Sequence, residues 1–251
     1  MSKPSLIRYA ILLALIALWF LVTAMEWVKP IQLPPPAGLW AAWQADGSRF
    51  LDAFALTAAE IAVAILIAWP LGIGVGAVFG SLRAVSAVAS AILGSLFAVP
   101  AIILYPLFIA WVGMGPESKV LFGVIAGFFP IALNTLSGVR QVDESYVTMA
   151  RAMGASRLQV FYRVVLRLAL PSVISGLRIG TALIMISVVV SEMLASFGGL
   201  GYMIAYHRTM FDTGHVYLGI LMALLTVLTV NWLLSMLESH FSKWQERGAD
   251  L

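Results

Sequence analysis

Few side chains in this 251-residue sequence could do chemistry, and their surroundings narrow what that chemistry is. Glu60 and Glu192 each stand in a long apolar run, where ionisable groups usually face a bundle interior or a water-filled cavity and serve an ion or solute path. For Glu60, near one end of its run, snorkelling to the interface competes with that role. Glu192 follows Ser191 and precedes a glycine-rich turn, so capping that turn competes with a place in a gate. The reading favours the gate, with Glu192, Ser191 and Glu60 as pathway or gate candidates. His207, His215 and His240 have no metal-ligand spacing relative to one another and read as polar groups of loops and interfaces. Gly72-Ile73-Gly74-Val75-Gly76 is not a phosphate cradle, because no strand precedes it and no G-x-x-x-x-G-K-[ST] occurs in the chain. Gly72, Gly76 and Gly80 recur every four residues inside an apolar run, which is a surface for close helix packing. Asn134 and Asn231 read as interhelical hydrogen-bonding groups, and Trp69, Tyr105 and Trp111 as packing or interfacial aromatics. No nucleophile lies in a pattern with a base, so the chain reads as a non-enzyme with no cofactor or metal site of its own.

The densest polar chemistry lies in residues 140–168, between two apolar runs. Asp143 can cap a first short helix and puts Glu144 in its first turn, where the macrodipole favours an anion. Tyr146, Met149, Ala150 and Met153 recur at helical spacing and make one apolar face. Gly154 supplies a left-handed helix end. Ser156 with Gln159 makes a capping box for a second helix that carries Leu158, Phe161 and Tyr162. Pro171 reads as the break before the next apolar run. The result is a helical hairpin with a glycine corner, rich in arginine, in a chain that otherwise avoids charge. Its bland role is to cover the ends of its own helices; its sharper role is to dock a partner.

The elements that must position these residues follow from hydropathy. Hydrophobic residues make up 61% of the chain and charged residues 11%, against about 25% charged in soluble domains. That composition describes a polytopic membrane protein. The net charge of +3 comes from basic residues at the ends of apolar runs, which fits membrane orientation rather than nucleic-acid binding. The absence of cysteine excludes disulfides and thiolate metal sites. The apolar runs predict six membrane spans in one transmembrane domain over residues 1–251: 9–25, 54–80, 84–114, 120–136, 172–195 and 216–237. The first reads as an uncleaved anchor. Residues 29–49, with Pro34-Pro35-Pro36, read as a polar, proline-rich connection, too proline-dense to be a membrane helix. Pro100 and Pro106 interrupt the third run, which suits a kinked helix or a helix with a re-entrant end. Six spans place both termini on one side. With that side inward, eleven Lys and Arg lie inside and four (Lys29, Arg49, Lys119, Arg208) outside, so the termini and residues 140–168 are expected to be cytoplasmic.

The hairpin resembles the cytoplasmic signature of binding-protein-dependent ABC transporter permeases, E-A-A-x3-G-x9-I-x-L-P. Aligned on Gly154, its opening positions fall on Thr148, Met149 and Ala150, and its closing ones on Val164, Leu166 and Arg167. The usual Glu, first Ala and Pro are thus Thr148, Met149 and Arg167. Further anchors occur in family order: Phe97-Ala98-Val99-Pro100-Ala101, Pro106-Leu107-Phe108, Gly113-Met114-Gly115, Leu133-Asn134-Thr135, Gly138-Val139-Arg140, Gly176-Leu177-Arg178, Ser191-Glu192-Met193-Leu194-Ala195 and Gly199-Leu200-Gly201-Tyr202. They resemble the sulfonate, nitrate and taurine branch over roughly residues 30–240.

The resemblance implies an all-α integral membrane fold like that of type I ABC importer permeases, with six transmembrane helices and a coupling segment between the fourth and fifth. It implies that Thr148, Met149, Ala150, Arg151, Met153, Gly154, Ala155, Ser156 and Leu158 engage a separate ATPase subunit, which would bind the ATP and Mg. Other implied partners are an extracytoplasmic solute-binding protein, a second permease copy in a homodimer, and the lipid bilayer of the bacterial inner membrane; nucleic acid is not among them. The implied cargo is a small sulfonate, taurine, nitrate or related organic anion, with a pyrimidine-type vitamin precursor as the alternative. An ion-coupled secondary transporter using Glu60 or Glu192, and a scaffold without transport, are the competing classes.

Overall fold

Proline fixes several of the helix starts, because a first-turn residue needs no N–H and already has the helical φ of about −65°. The computed structural model describes residues 3–249, and every side chain from 13 to 236. Ten α-helices follow one another: α1 (Lys3–Ala24), α2 (Pro36–Ser81), α3 (Arg83–Phe97), α4 (Tyr105–Val112), α5 (Pro116–Arg140), α6 (Glu144–Ala152), α7 (Arg157–Val160), α8 (Leu166–Leu194), α9 (Leu200–Thr209) and α10 (Thr213–Ala249). A short 3-10 turn (Ala101–Leu104) precedes α4, and a π turn (Phe161–Val165) joins α7 to α8. There is no strand among the described residues.

Two proline readings need correction. The connection at 29–49, read as too proline-dense for a membrane helix, is helical from Pro36, the last of the three prolines, where α2 begins and runs through Trp40 and Trp43. Proline is hostile to a helix only beyond its first turn, and Ala37, Leu39, Ala41 and Ala42 after Pro36 are good helix formers. A local departure from helical dihedrals falls at Asp46 (φ −129°, ψ 20°). Pro171 does not interrupt the chain either, since it lies inside α8. The helix from Arg157 to Leu194 is continuous over 38 residues; packed apolar helices absorb the one backbone bond that proline removes.

Four helical stretches are long and apolar enough to cross a bilayer: Pro36–Ser81, Pro116–Arg140, Arg157–Leu194 and Thr213–Met236. Arg83–Phe97 and Ala101–Val112 meet at 71° and make a fifth if the bent pair is one span. Leu13–Ala24 is a shorter apolar helix. Among the described residues, length and composition thus identify four or five of the six expected spans.

The chain forms two compact units, one from the chain up to Leu56 with Glu192–Thr226, the other from Thr57–Ser191 with the chain after Thr226. In the first, Phe50, Leu200, Leu218 and Met222 form the core with Ala42 and Ala53. Its proline-rich connection is tied down by side chains that donate to carbonyls: Trp19 Nε1 to Pro34 (3.0 Å), Thr213 Oγ1 to Pro30 (3.0 Å) and Tyr217 Oη to Gln32 (2.8 Å). Each satisfies an acceptor that no helix or sheet provides for.

In the second unit the core joins α2 (Ile61, Ala64, Ala68), α5 (Val124, Ile131) and α8 (Ile184, Met185, Val188). The glycine stripe packs as its spacing predicts. A β-carbon at Gly72 would lie 2.6 Å from the Ile131 side chain and one at Gly80 2.8 Å from Val139 Cβ, while one at Gly76 would run into the Ala132 carbonyl. Backbone therefore meets backbone along the α2–α5 seam.

Candidate functional site

The hairpin expected at residues 140–168 forms through its own short-range signals. Asp143 Oδ1 accepts a hydrogen bond from Ser145 N at 2.8 Å, and that bond holds the Asp143 carboxyl below the ordinary carboxylate range. At the other end of α6, Gly154 has φ +84°. Gly154 N donates to Arg151 O (2.9 Å) and Ala155 N to Ala150 O (3.1 Å), the paired bonds of a Schellman end. Ser156 and Gln159 then exchange reciprocal bonds of 3.3 and 2.8 Å and start α7 with a capping box. Nothing approaches the position of a Gly154 β-carbon, so glycine is needed there for backbone conformation and not for space.

Met149, Met153 and Leu158 are 62%, 83% and 69% exposed. Thr148, Arg151, Gly154 and Ser156 are also exposed, while Ala150 and Ala155 are half-buried. Three large apolar side chains beside a glycine corner form an unpaid-for surface in water and suit a partner. On its other side the hairpin borders a cavity of about 740 Å³ lined by residues that include Arg83, Arg140, Glu144, Thr148, Arg151 and Arg157. Glu144 pairs with Arg83 from the start of α3. Phe161 and Val165 seat the hairpin against Ala77, Val139 and Ala169. The nine coupling candidates thus gather in one compact structure.

The acidic candidates find separate partners. Glu60 on α2 is buried and forms an ion pair of 2.9 Å with Lys119 Nζ, which is itself buried in the first turns of α5. Snorkelling is therefore not what Glu60 does. Ser191 is buried; its Oγ donates to Val188 O (2.7 Å) and its carbonyl accepts from Tyr105 Oη (3.3 Å). Glu192 is 1% exposed, and its Oε2 accepts from Gly201 N at 2.7 Å. Gly199, the residue that caps α9, has φ +96° and ψ 168°, and a β-carbon on it would collide with the Glu192 carboxylate. A carboxylate at this end of α9 meets unpaired N–H groups and the positive end of the helix dipole.

Of the other polar groups, Asn134 and two histidines depart from the sequence reading, while the three aromatics do not. Asn134 Nδ2 donates to Pro130 O of its own helix (2.8 Å) rather than across helices. Trp69 Nε1 reaches Thr181 Oγ1 on α8 (3.1 Å), Tyr105 is buried and Trp111 exposed. His207 and His215, read as ordinary loop groups, instead meet Asp46, with one donor atom of each within 4.8 Å of the others. Spacing rules see ligands close in sequence, and 161 residues separate Asp46 from His207. The side chain of His240 and its expected role lie outside the described residues.

Comparison with known proteins agrees with this architecture. The taurine transport system permease protein of Escherichia coli is 30% identical over 97% of this chain and 91% of its own length. A Bacillus subtilis protein named for aliphatic sulfonates transport, also a permease, is 28% identical over the same shares. The inward-facing structure of the MetNI methionine ABC transporter contains a chain that superposes with a TM-score of 0.62 at 18% identity, covering 76% of this chain and 97% of the other. Residues 68–245 match the family described as binding-protein-dependent transport system inner membrane component. The chain belongs to that family of binding-protein-dependent transport permeases, and is a multi-pass membrane protein of the kind that family comprises.

Proposed function

We propose that this chain is the membrane-spanning permease of an ATP-driven importer for a small organic anion of the sulfonate or taurine class. The observation that carries the reading is the hairpin at 140–168, with capped ends, a left-handed glycine corner and three exposed large apolar side chains. Such a knob transmits rigid-body motion to the helix that follows it without a flexible link. In this reading the chain crosses the bilayer six times, with α1 as an additional span and the bent pair as one, and both termini are cytoplasmic. Two copies surround a central pathway, two ATPase subunits hold the hairpins and bind ATP and Mg, and a solute-binding protein delivers cargo on the opposite face. Glu192, with Ser191 beside it, acts on the pathway by holding the first turn of α9. Glu60 acts there only through its pairing with Lys119. The anionic cargo is supported by the names of the two relatives matched along nearly the whole chain.

The test is uptake of radiolabelled taurine into vesicles holding this chain, its ATPase and its binding protein. Uptake should require all three and ATP, and a proton gradient alone should drive none. Gly154→Val costs about 1–2 kcal/mol at a left-handed position without a clash, so the permease should fold while uptake and co-purification with the ATPase fall at least tenfold. Full uptake by this variant would remove the hairpin from the coupling path.

Topology gives an independent check. The chain has no cysteine, so single cysteines at Ser145 and Gln32 are clean reporters. They should react with an impermeant maleimide from opposite faces of sealed vesicles. Labelling of both from one face would overturn the orientation.

A further inference from the structure

The turn after α9 brings together polar side chains that the transport reading does not use. The carbonyl of His207 accepts from the backbone N–H groups of Met210 (3.2 Å) and Asp212 (3.0 Å). Phe211 between them has φ +55°, which a non-glycine residue keeps only where its surroundings enforce it. Asp212 Oδ1 then accepts from His215 N at 3.4 Å, at the start of α10. This closed turn fixes His207, Asp212 and His215 relative to one another. The two imidazoles stack with centroids 4.3 Å apart and planes 9° apart, and Phe50 lies against both at 6.2 and 6.1 Å. Asp46 enters from α2 at its non-helical residue.

The nitrogens are arranged by edge. Asp212 Oδ2 lies 3.6 Å from His207 Nδ1 and 2.7 Å from His215 Nδ1. On the other edge His215 Nε2 faces Asp46 Oδ2 at 3.4 Å. Both ring nitrogens of His215 are buried, and neither meets hydrogen-bond geometry. Two carboxylates thus converge on two stacked imidazoles. Arg49 meets Asp46 through Oδ1 at 3.1 Å and is itself 75% exposed, so it offsets that negative charge only weakly.

We propose that Asp46, His207 and His215 bind one divalent transition-metal ion of the zinc class, with Asp212 orienting both imidazoles from their Nδ1 edge. A carboxylate behind each ligating imidazole is what fixes its tautomer and raises its basicity at zinc sites. Two nitrogens and an oxygen select zinc, cobalt or nickel over calcium and magnesium, which take oxygen ligands. Bonds of about 2.0–2.2 Å put donors roughly 3.3 Å apart, so donors now within 4.8 Å must close in. The rings must also turn out of their parallel stack, because a cation lies in the plane of each imidazole. The bound ion would pin the Asp46 irregularity of α2 to the α9–α10 turn.

The test uses the full-length chain in nanodiscs, affinity tag removed, titrated with Co²⁺ and then with competing Zn²⁺. One Co²⁺ per chain should bind and give visible ligand-field bands without thiolate absorption, and one Zn²⁺ should displace it and raise the thermal midpoint. His215→Gln and Asp46→Asn should each weaken binding about 10- to 100-fold, and Asp212→Asn about tenfold, while His240→Gln should leave it unchanged. If His215→Gln does not fold, Asp46→Asn on its own decides. Absence of saturable binding in the unaltered chain, or unchanged affinity in Asp46→Asn, overturns the site.

Discussion

Lys119→Met should produce the largest loss of stability of any single substitution proposed for this chain. It leaves the buried Glu60 carboxylate without the ammonium now 2.9 Å away, a loss of about 3–5 kcal/mol for a buried pair. Lys119 stands in the first turns of α5, where the helix dipole disfavours a cation, so its burial there depends on Glu60. The double variant Glu60→Gln/Lys119→Met removes both charges and should regain most of the loss, since an apolar or neutral replacement of a buried pair is often close to neutral. Thermal unfolding of the single and double variants in nanodiscs measures this as a double-mutant cycle. A single variant as stable as the parent, or a double variant no better than the single, would show that the pair is not what holds these two helices.

Gly199→Ala should come next. Its φ of +96° with ψ 168° lies in a region open essentially to glycine, and the added methyl would occupy the place of the Glu192 carboxylate. Displacing that carboxylate leaves the buried Gly201 N–H unsatisfied, at about 1–3 kcal/mol on top of the backbone strain. The expected result is a lower thermal midpoint and faster proteolysis near α9. Glu192→Gln separates the two roles of the side chain. It keeps an acceptor for Gly201 N and removes the charge, so stability should stay near the parent while uptake falls. Lost stability in step with lost uptake would make Glu192 a cap and nothing more, and unchanged values of both would remove it from the pathway.

What could be read from the sequence divides by range. Asp143, Gly154 and the Ser156–Gln159 box act within a few residues, so the hairpin's caps and corner were legible, but not that its second arm runs on into α8. The four-residue period of Gly72, Gly76 and Gly80 likewise announced a packing seam, though not that α5 would fill it. Pro36 and Pro171 were misread because proline's effect depends on its place in a helix that the sequence alone does not delimit. The lysine that pairs with Glu60 and the histidines that face Asp46 lie 59 residues and more than 150 residues away along the chain, beyond any local rule. Lys119 looked like a loop charge because a hydrophilic residue beside Pro116 resembles the end of a span, and only packing reveals that it is buried.

The unbroken course from Arg157 to Leu194 bears on how such permeases can be recombined. Thirty-eight residues at 1.5 Å each measure about 57 Å, against a hydrocarbon core of roughly 30 Å. The hairpin's second arm is therefore the opening of a much longer rod, and no loop exists at which a chimera could be spliced. A joint inside the rod must preserve angular phase: one residue inserted or deleted turns everything beyond it by about 100°. The π turn at Phe161–Val165 already holds the extra residue of a widened turn. Deleting one residue there would restore regular α-helical winding and leave the flanking segments nearly in phase, so a one-residue difference in length between relatives is best placed at that turn.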